Sequence, residues 1–147
     1  MMSEIMDFYE IEVEENRVFI RFSSAMEHID TACASVLLFL RSKGPKFFPH
    51  LFAVNLGMRE AMANAVRHGN KYDLGKLVSM ELDISRDNWI RMKISDQGPG
   101  FEWMQVQDQV APDEADHGRG ISIMRTYFDR LSYNEKGNTL YLEKYIL

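Results

Sequence analysis

Hydrophobic residues alternate with polar ones in three parts of this chain. Near the start, Tyr9, Ile11 and Val13 alternate with acids, and the same spacing recurs across Val18–Phe22. Such a period of two is typical of a strand with one buried face. Residues 76–85 and 89–95 have strand character and are joined by the turn SRDN. Residues 131–146 are predicted to form a hairpin that turns at Lys136-Gly137-Asn138.

Two further segments have helical spacing. Between Ser24 and Lys43, apolar residues recur every three or four positions. Ser23 or Ser24 is the expected N-cap of this first helix, and Gly44-Pro45 is its expected end. A second helix is predicted from about Pro49 to His68, with Gly69 as the glycine that ends it.

The rest of the chain is predicted to hold one loop and a third helix. Residues 96–119 are dominated by Gly, Pro, Asp and Gln, which favours a loop, and a helix should follow from about Gly120 to Leu131. Because helices cluster and strands come in hairpins, the order favours an α+β fold. We expect a two-layer α/β sandwich, in which about three helices cover one face of a mixed, mostly antiparallel sheet. The 147 residues are the length of one ordinary domain, so residues 1–147 are expected to form one.

Composition and charge limit the expected binding partners of the protein and its expected location in the cell. The formal net charge of −5 makes direct nucleic-acid binding a poor expectation, because nucleic-acid-binding proteins usually present a basic face. The single cysteine, Cys33, lies in an apolar run and is expected to be a buried hydrophobic residue. The acidic start does not resemble a signal peptide, and no apolar run approaches the length of a membrane span. A cytoplasmic protein with no membrane association is expected.

The second helix carries polar residues beside its apolar stripe. Gly57, Glu60, Asn64 and His68 follow one another at intervals of three or four, so they stand above one another on one flank. A carboxylate, an amide and an imidazole therefore border the expected core. Taken alone, this flank is also compatible with the polar edge of an ordinary amphipathic helix.

Two glycine-rich stretches follow in the chain. Asp96-Gln97-Gly98-Pro99-Gly100 comes directly after a predicted strand, and Gly118-Arg119-Gly120 comes directly before a predicted helix. Glycine permits close backbone approach, and free N–H groups at a helix start attract anions. Each stretch alone is compatible with simple turn chemistry.

The chain thus has Glu-x-x-x-Asn on a helix, then Asp-x-Gly-x-Gly after a strand, then Gly-x-Gly before a helix. Three motifs in this order resemble those of the ATP-binding fold shared by gyrase, the Hsp90 chaperones, histidine kinases and the MutL proteins. The compact length and the segment REAMANAVRHGN are similar to the anti-sigma-factor serine/threonine kinases of the RsbW and SpoIIAB type. The resemblance covers nearly the whole chain and implies that ATP and Mg²⁺ are bound.

The resemblance also implies roles for individual residues. Asn64 would ligate Mg²⁺, Glu60 would be the general base, and Asp96 would accept a hydrogen bond from the adenine amino group. Nucleotide contacts are further expected from Arg67, His68, Gly98, Gly100, Phe101, Gly118, Arg119, Gly120, Ile121 and Thr139. Arg67 is also compatible with a solvated helix edge, and His68 with a helix-end residue that complements the dipole. Residues 101–117 would form a short lid over the nucleotide.

The implied function is that of a kinase in a partner-switching system. Such a protein binds a sigma factor or another regulatory target, and it phosphorylates an antagonist of the STAS type on serine or threonine. A homodimer is also implied, for which Phe39 and Leu40 of the first helix could provide contacts if they are not core residues. The alternative is a non-catalytic module in which bound ATP sets partner affinity. A detached histidine-kinase catalytic domain is a third option. It is disfavoured because His28 lies on a single predicted helix, whereas a phosphoacceptor histidine is expected on a separate helical hairpin.

Overall fold

One sheet and three α-helices make up the described part of the chain. The computed structural model describes the backbone of residues 7–100 and 115–147 and the side chains of residues 7–100 and 121–147. The strands are β1 (Tyr9–Val13), β2 (Arg17–Ser23), β3 (Leu77–Asp83), β4 (Trp89–Ser95), β5 (Arg130–Tyr133) and β6 (Thr139–Tyr145). The helices are α1 (Glu27–Ser42), α2 (Leu51–Asn64) and α3 (Ala115–Tyr127). Within these ranges, no helix combines the length and the apolar character needed to cross a membrane.

The sheet runs in the order β1-β2-β3-β4-β6-β5, and each neighbouring pair is antiparallel. Its register brings Ile20, Met80, Ile94 and Leu140 into one row across four strands. All four side chains are buried, as the alternation along each strand predicts. The predicted α+β fold is therefore confirmed, with an antiparallel sheet in place of a mixed one.

The three helices pack on the buried face of the sheet. Ile29, Cys33 and Val36 of α1 and Val54 and Met58 of α2 belong to the same core as the strand residues. The helix α2 lies between α1 and α3 and contacts both. This central position anchors α2, so the polar residues at its far end are carried by a rigid element.

The apolar residues of α1 resolve one alternative from the sequence. Phe39 and Leu40 are both buried in the core. Their suggested use as dimer contacts is therefore wrong, because they already pack inside one chain. The exposed neighbour is Leu38, of which 70% is accessible.

The start of α1 differs from the prediction. The residue before the helix is Met26, and neither predicted serine caps it. Ser24 donates its hydroxyl to the carbonyl of Lys76 at 2.7 Å, and Ser23 is hydrogen-bonded to the backbone of Phe8. Both serines are buried, so they satisfy backbone groups just before β1 and β3 instead of helix N–H groups.

The second predicted helix consists of three consecutive helical segments of different type, over Pro45–Gly69, which we call the α2 stack. A 3₁₀-helix over Pro45–His50 leads into α2, and a π-helical turn over Ala65–Gly69 continues it. Gly69 is not the left-handed C′ glycine that the sequence suggests, because the positive φ angles come later, at Lys71 and Tyr72. Wider π turns often occur at functional sites, and this one ends beside the loop after β4.

The third helix begins earlier and ends earlier than predicted. It starts at Ala115, so Gly118, Arg119 and Gly120 lie in its first turns and do not precede it. A glycine within a helix costs only about 1 kcal/mol relative to alanine, which does not enforce a boundary. Leu131 belongs to β5 and pairs with Leu142, because strand pairing claims it from the helix.

Candidate functional site

A cavity of about 230 Å³ opens at the C-terminal end of α2. It lies between that helix end, the loop after β4 and the turn that joins β5 to β6; we call it the α2 cavity. Its lining residues within the described side chains are Ala61, Asn64, Ala65, His68, Gly69, Lys71, Ile94, Asp96, Pro99, Gly100, Tyr133, Gly137, Asn138 and Leu140.

Asn64 is the unusual residue on the helical wall. Only 5% of it is accessible, and neither its amide oxygen nor its amide nitrogen has a hydrogen-bond partner among the described residues. Leaving a buried polar group unpaired costs about 1–3 kcal/mol. Because native structures rarely tolerate this, a bound group such as a ligand, an ion or an ordered water is expected to pair with these two atoms.

Asp96 faces the same cavity from the opposite side. Its backbone is held by the β5–β6 turn, since its N–H donates to the carbonyl of Asn138 at 2.9 Å. The N–H of Gly98 donates to its Oδ1 at 2.8 Å, which fixes the carboxylate in a tight turn. Burial raises the pKa of Asp96, and the Gly98 hydrogen bond, Lys136 and Lys76 oppose that rise. One carboxylate oxygen is thus committed to the turn.

Three glycines permit the close packing around Asp96. A Cβ at Gly69 would fall within the Asp96 carboxylate, 2.7 Å from Oδ1 and closer to the other carboxylate atoms. A Cβ at Gly98 would overlap the carbonyl group of Gly69, and one at Gly100 would overlap that of Lys136. Gly100 also has a φ of 82°, which favours glycine. These glycines therefore let protein segments approach each other, beyond the ligand approach that the motif suggests.

The α2 cavity unites part of the predicted set. Asn64, His68, Asp96 and Gly100 line it, although they come from two segments about 30 residues apart in the chain. Glu60 is half-buried one turn before Asn64, and within the described side chains it does not line the cavity. The cavity lining among the described side chains also lacks Arg67, Gly98, Ile121 and Thr139.

The remaining predicted contacts are described only in part. Thr139 is buried beside the site, with its Oγ1 3.0 Å from the Oγ of Ser95. Gly118, Arg119 and Gly120 lie in α3, of which only the backbone is described at these positions. Phe101 lies outside the described residues, as does most of the segment 101–117 expected to form the lid.

The sequence did not point to several lining residues. Tyr133 and Asn138 come from the β5–β6 hairpin, and burial, followed by the charge of Asp96, raises the pKa of Tyr133. The turn NEKGN was visible as a turn, but its packing against the Asp96 loop depends on strand order. Lys71 also lines the cavity and has a φ of 51°, a conformation that no pattern in the sequence indicates for lysine.

A larger depression, about 620 Å³, lies on the face of the sheet opposite the helices. It is lined by a mixture of acids and bases that includes Glu12, Arg21 and Lys93. Among the described side chains, none of the motif residues faces it, so size alone does not make it the better candidate.

His28 is held away from the α2 cavity. Its Nε2 lies 2.6 Å from the Oδ1 of Asp7, and its ring packs between Tyr9 and Phe22 with centroid distances of 5.5 and 5.8 Å. These contacts give it a structural role at the start of α1.

Comparison with known proteins identifies the class. A model of the histidine kinase-like ATPase domain matches residues 22–144, and the chain belongs to this family. The resemblance inferred from the three motifs is therefore confirmed.

The curated relatives are similar over nearly their full length. The anti-sigma F factor of Geobacillus kaustophilus (strain HTA426) is 28% identical over 138 residues, which are 89% of this chain and 93% of that protein. The anti-sigma F factor of Priestia megaterium is 24% identical over 139 residues, covering 90% and 94%. That of Clostridium perfringens (strain 13 / Type A) is 27% identical over 137 residues, covering 88% and 96%.

Proposed function

We propose that this protein is an ATP-dependent serine/threonine kinase that acts as an anti-sigma factor in a partner switch. One observation carries the proposal: the unpaired amide of Asn64 and the carboxylate of Asp96 line one cavity in a histidine kinase-like ATPase domain. The relatives named anti-sigma F factors support the regulatory part.

Asp96 would select the base. Its carboxylate is an acceptor, and the exocyclic amino group of adenine is a donor that guanine replaces with a carbonyl oxygen. Because Gly98 N–H already occupies Oδ1, the other oxygen is the one left for the ligand. Asp96→Asn would turn part of that acceptor into a donor, so ATP affinity should fall before any effect on chemistry.

Asn64 is suited to hold the metal ion. Mg²⁺ prefers oxygen ligands and usually takes few from the protein, with the rest from phosphates and water. The buried, unpaired amide oxygen of Asn64 fits that requirement. When bound, Mg²⁺ would neutralise charge on the phosphates during transfer.

The transfer step would use the residues along the same flank of α2. A serine or threonine hydroxyl oxygen of the substrate forms a bond to the γ-phosphorus, while the bond from that phosphorus to the bridging oxygen of ADP breaks. Glu60 would take the hydroxyl proton. His68 on the cavity wall, Arg67 with a buried Nε that is unpartnered among the described residues, and Arg119 would offset phosphate charge.

The partners follow from the regulatory role. The substrate would be a STAS-domain antagonist, and the controlled target would be a sigma factor or another regulatory protein. We expect the protein to act as a homodimer in the cytoplasm, without direct nucleic-acid contact. A non-catalytic module that uses ATP only to set partner affinity is the alternative.

Transfer of labelled γ-phosphate to a cognate STAS protein tests the proposal. Wild-type protein should label its partner on serine or threonine, and Glu60→Gln should abolish labelling while ATP binding persists. Glu81→Gln, which changes a half-buried carboxylate on the opposite face of the sheet, is the matched control and should label normally. A wild-type preparation that binds Mg·ATP but labels no STAS partner would refute kinase activity.

The same variant separates the kinase from the binding module. If the protein is a module, Glu60→Gln should leave ATP-dependent capture and release of the partner unchanged. If it is a kinase, capture of the unphosphorylated antagonist should persist, but its release by phosphorylation should be lost. Pull-down of both partners with ATP and with ADP measures the difference.

A further inference from the structure

Asn70 lies directly after the π-helical turn and is almost completely buried, with 1% accessible. Its side-chain amide is fully engaged. Nδ2 donates to the Oγ of Ser24 at 2.9 Å and to the carbonyl of Leu77 at 3.0 Å, and Oδ1 accepts from the N–H of Gln97 at 2.8 Å. This contrasts with Asn64, six residues earlier, whose amide is unpaired in the described structure.

The partners of Asn70 come from three separate segments. Ser24 follows β2, Leu77 begins β3, and Gln97 follows β4. The network closes on itself, since the N–H of Leu77 donates to Oε1 of Gln97 at 2.6 Å. The backbone N–H of Asn70 donates to the carbonyl of Ala65 at 2.8 Å and so closes the π-helical turn. One buried side chain therefore ties the end of the α2 stack to three neighbouring segments.

This network reaches the base-binding carboxylate. The N–H of Gln97 belongs to the peptide group that follows Asp96, so Asn70 fixes the orientation of that peptide. Asn138 holds the peptide on the other side of Asp96. Gly69, the residue before Asn70, lies against the Asp96 carboxylate itself. The direction of Asp96 is thus set by the same residue pair that terminates the helix of Asn64.

A strained turn follows Asn70. Lys71 and Tyr72 have φ angles of 51° and 61°, which L-residues with side chains rarely adopt. Such conformations persist where the surroundings determine them and are common beside binding sites. The carbonyl of Asn70 accepts from the N–H of Asp73 at 2.9 Å, so Asn70 also anchors the turn that brings Lys71 to the cavity wall.

We propose that Asn70 is the positioning residue that holds Asp96 in register with the helix of Asn64, and thereby determines how strongly the site prefers adenine. The inference rests on the proposed function, because its effect is measured through ATP binding. Asn70 itself does not line the cavity in the described structure, so it acts through Asp96.

Discrimination between ATP and inosine triphosphate measures this role. Inosine has a carbonyl oxygen where adenine has its amino group, so it lacks the donor that Asp96 accepts. The quantity is the ratio of the two dissociation constants, measured by titration calorimetry with Mg²⁺ at a temperature where each variant is folded by circular dichroism. Asn70→Ala should lower the wild-type preference for ATP by about tenfold or more, the loss expected for a hydrogen bond to a charged acceptor.

Ser24→Ala is the matched control. It removes one buried partner of Asn70 but leaves the bond to Gln97, so it should reduce stability and keep the preference for ATP. If Asn70→Ala does not fold, Asn70→Ser is used in its place. The serine side chain is too short to reach Gln97 but keeps a hydroxyl group at this position. The double variant Asn70→Ala/Asp96→Asn should show the same preference for ATP over inosine triphosphate as Asp96→Asn alone.

Two results distinguish a failure of the role given to Asn70 from a failure of the role given to Asp96. If Asp96→Asn abolishes the preference but Asn70→Ala and Asn70→Ser weaken both nucleotides equally, Asn70 is only structural and the inference is overturned. If Asp96→Asn itself leaves the preference intact, the assignment of the base to Asp96 fails, and the role of Asn70 fails with it.

Discussion

The α2 stack carries two glycines, Gly57 and Gly69, at which an added methyl group would meet very different surroundings. At Gly57, the new Cβ would lie 2.6 Å from Cζ of Phe128, an aromatic ring of the core. At Gly69, it would fall within the carboxylate of Asp96. One glycine makes room for apolar packing, and the other makes room for a charged group beside a cavity.

The surroundings of the two glycines differ in the same way. Around Gly57, the fully buried Met58 and Leu142 fill the space with apolar atoms. Around Gly69, the half-buried carboxylate of Asp96 and the amide of Asn64, unpaired among the described residues, face a cavity. The middle of α2 contributes stability through apolar packing, whereas the π-helical turn leaves polar groups facing a cavity. Substitutions at Gly57 and Gly69 should therefore affect stability and function separately.

The largest effect is expected from Asn64→Ala. Phosphotransfer with Mg·ATP should fall by about 100-fold or more, because a bound metal ion contributes several kcal/mol of charge stabilisation. Stability should be unchanged or higher, because the variant removes an unpaired buried amide. Kinase assays and urea denaturation measure both quantities, and a loss of stability above about 2 kcal/mol would contradict the unpaired state of Asn64.

Gly57→Ala should mainly reduce stability. Displacing the Phe128 ring should lower the free energy of unfolding by about 1–3 kcal/mol, typical of overpacked cores. ATP affinity measured on the folded variant should stay within about twofold of wild type, or about 0.4 kcal/mol. Adding Phe128→Leu should recover part of the lost stability, and strictly additive losses would show that the ring is not the obstacle.

Gly69→Ala should have the complementary effect. The methyl group forces the Asp96 carboxylate to move, and ATP affinity should fall about tenfold, or about 1.4 kcal/mol. Affinity for inosine triphosphate should change much less, since it does not use the Asp96 acceptor. Equal losses of ATP affinity for Gly57→Ala and Gly69→Ala would remove the distinction between the two positions.

The smallest effect concerns the side chain of Cys33, which is 1% accessible in the α1 core. Burial raises the pKa of this thiol from 9.0 to about 11. Because the folded pKa is the higher one, the contribution of the thiol to stability is complete below pH 9.0 and is lost as the pH rises through about 11. At pH 8 the folded chain should hold about 100-fold less thiolate than the unfolded chain.

Alkylation kinetics with iodoacetamide test that expectation. Labelling of native protein at pH 8 should be slow and should accelerate in urea along with global unfolding. Gly57→Ala should raise the native labelling rate more than Asn64→Ala does, since only the former weakens the core. Fast labelling of folded wild type would show that the core around α1 opens locally.

The sheet and its covering helices were predictable from local patterns. Alternation across Val18–Phe22 and 89–95 identifies the buried face of each strand, because a strand turns its side chains to opposite sides at each residue. Helix limits were less predictable. Ser24 looked like a cap and instead bonds to Lys76, because the pairing of β2 with β3 determines which groups are nearby.

The site was predictable as a set of residue types and only partly as a set of contacts. Asn64 and Asp96 were identified by motif order, and both line the cavity. Lys71, Tyr133 and Asn138 were not, because a positive φ angle and the position of a hairpin depend on packing between segments distant in sequence.

By itself, the sequence determined the fold class, the buried strand faces and the order of the three motifs, since each depends on residue types and short spacings. Only the tertiary structure decided that Gly69 faces Asp96 and that Asn70 is bonded to three segments. Apart from the bond to Leu77, which is seven positions away, those contacts join residues more than 20 positions apart, such as Asn70 and Gln97. They form only when antiparallel pairing and the π-helical turn bring the segments into register, and no local pattern records that register.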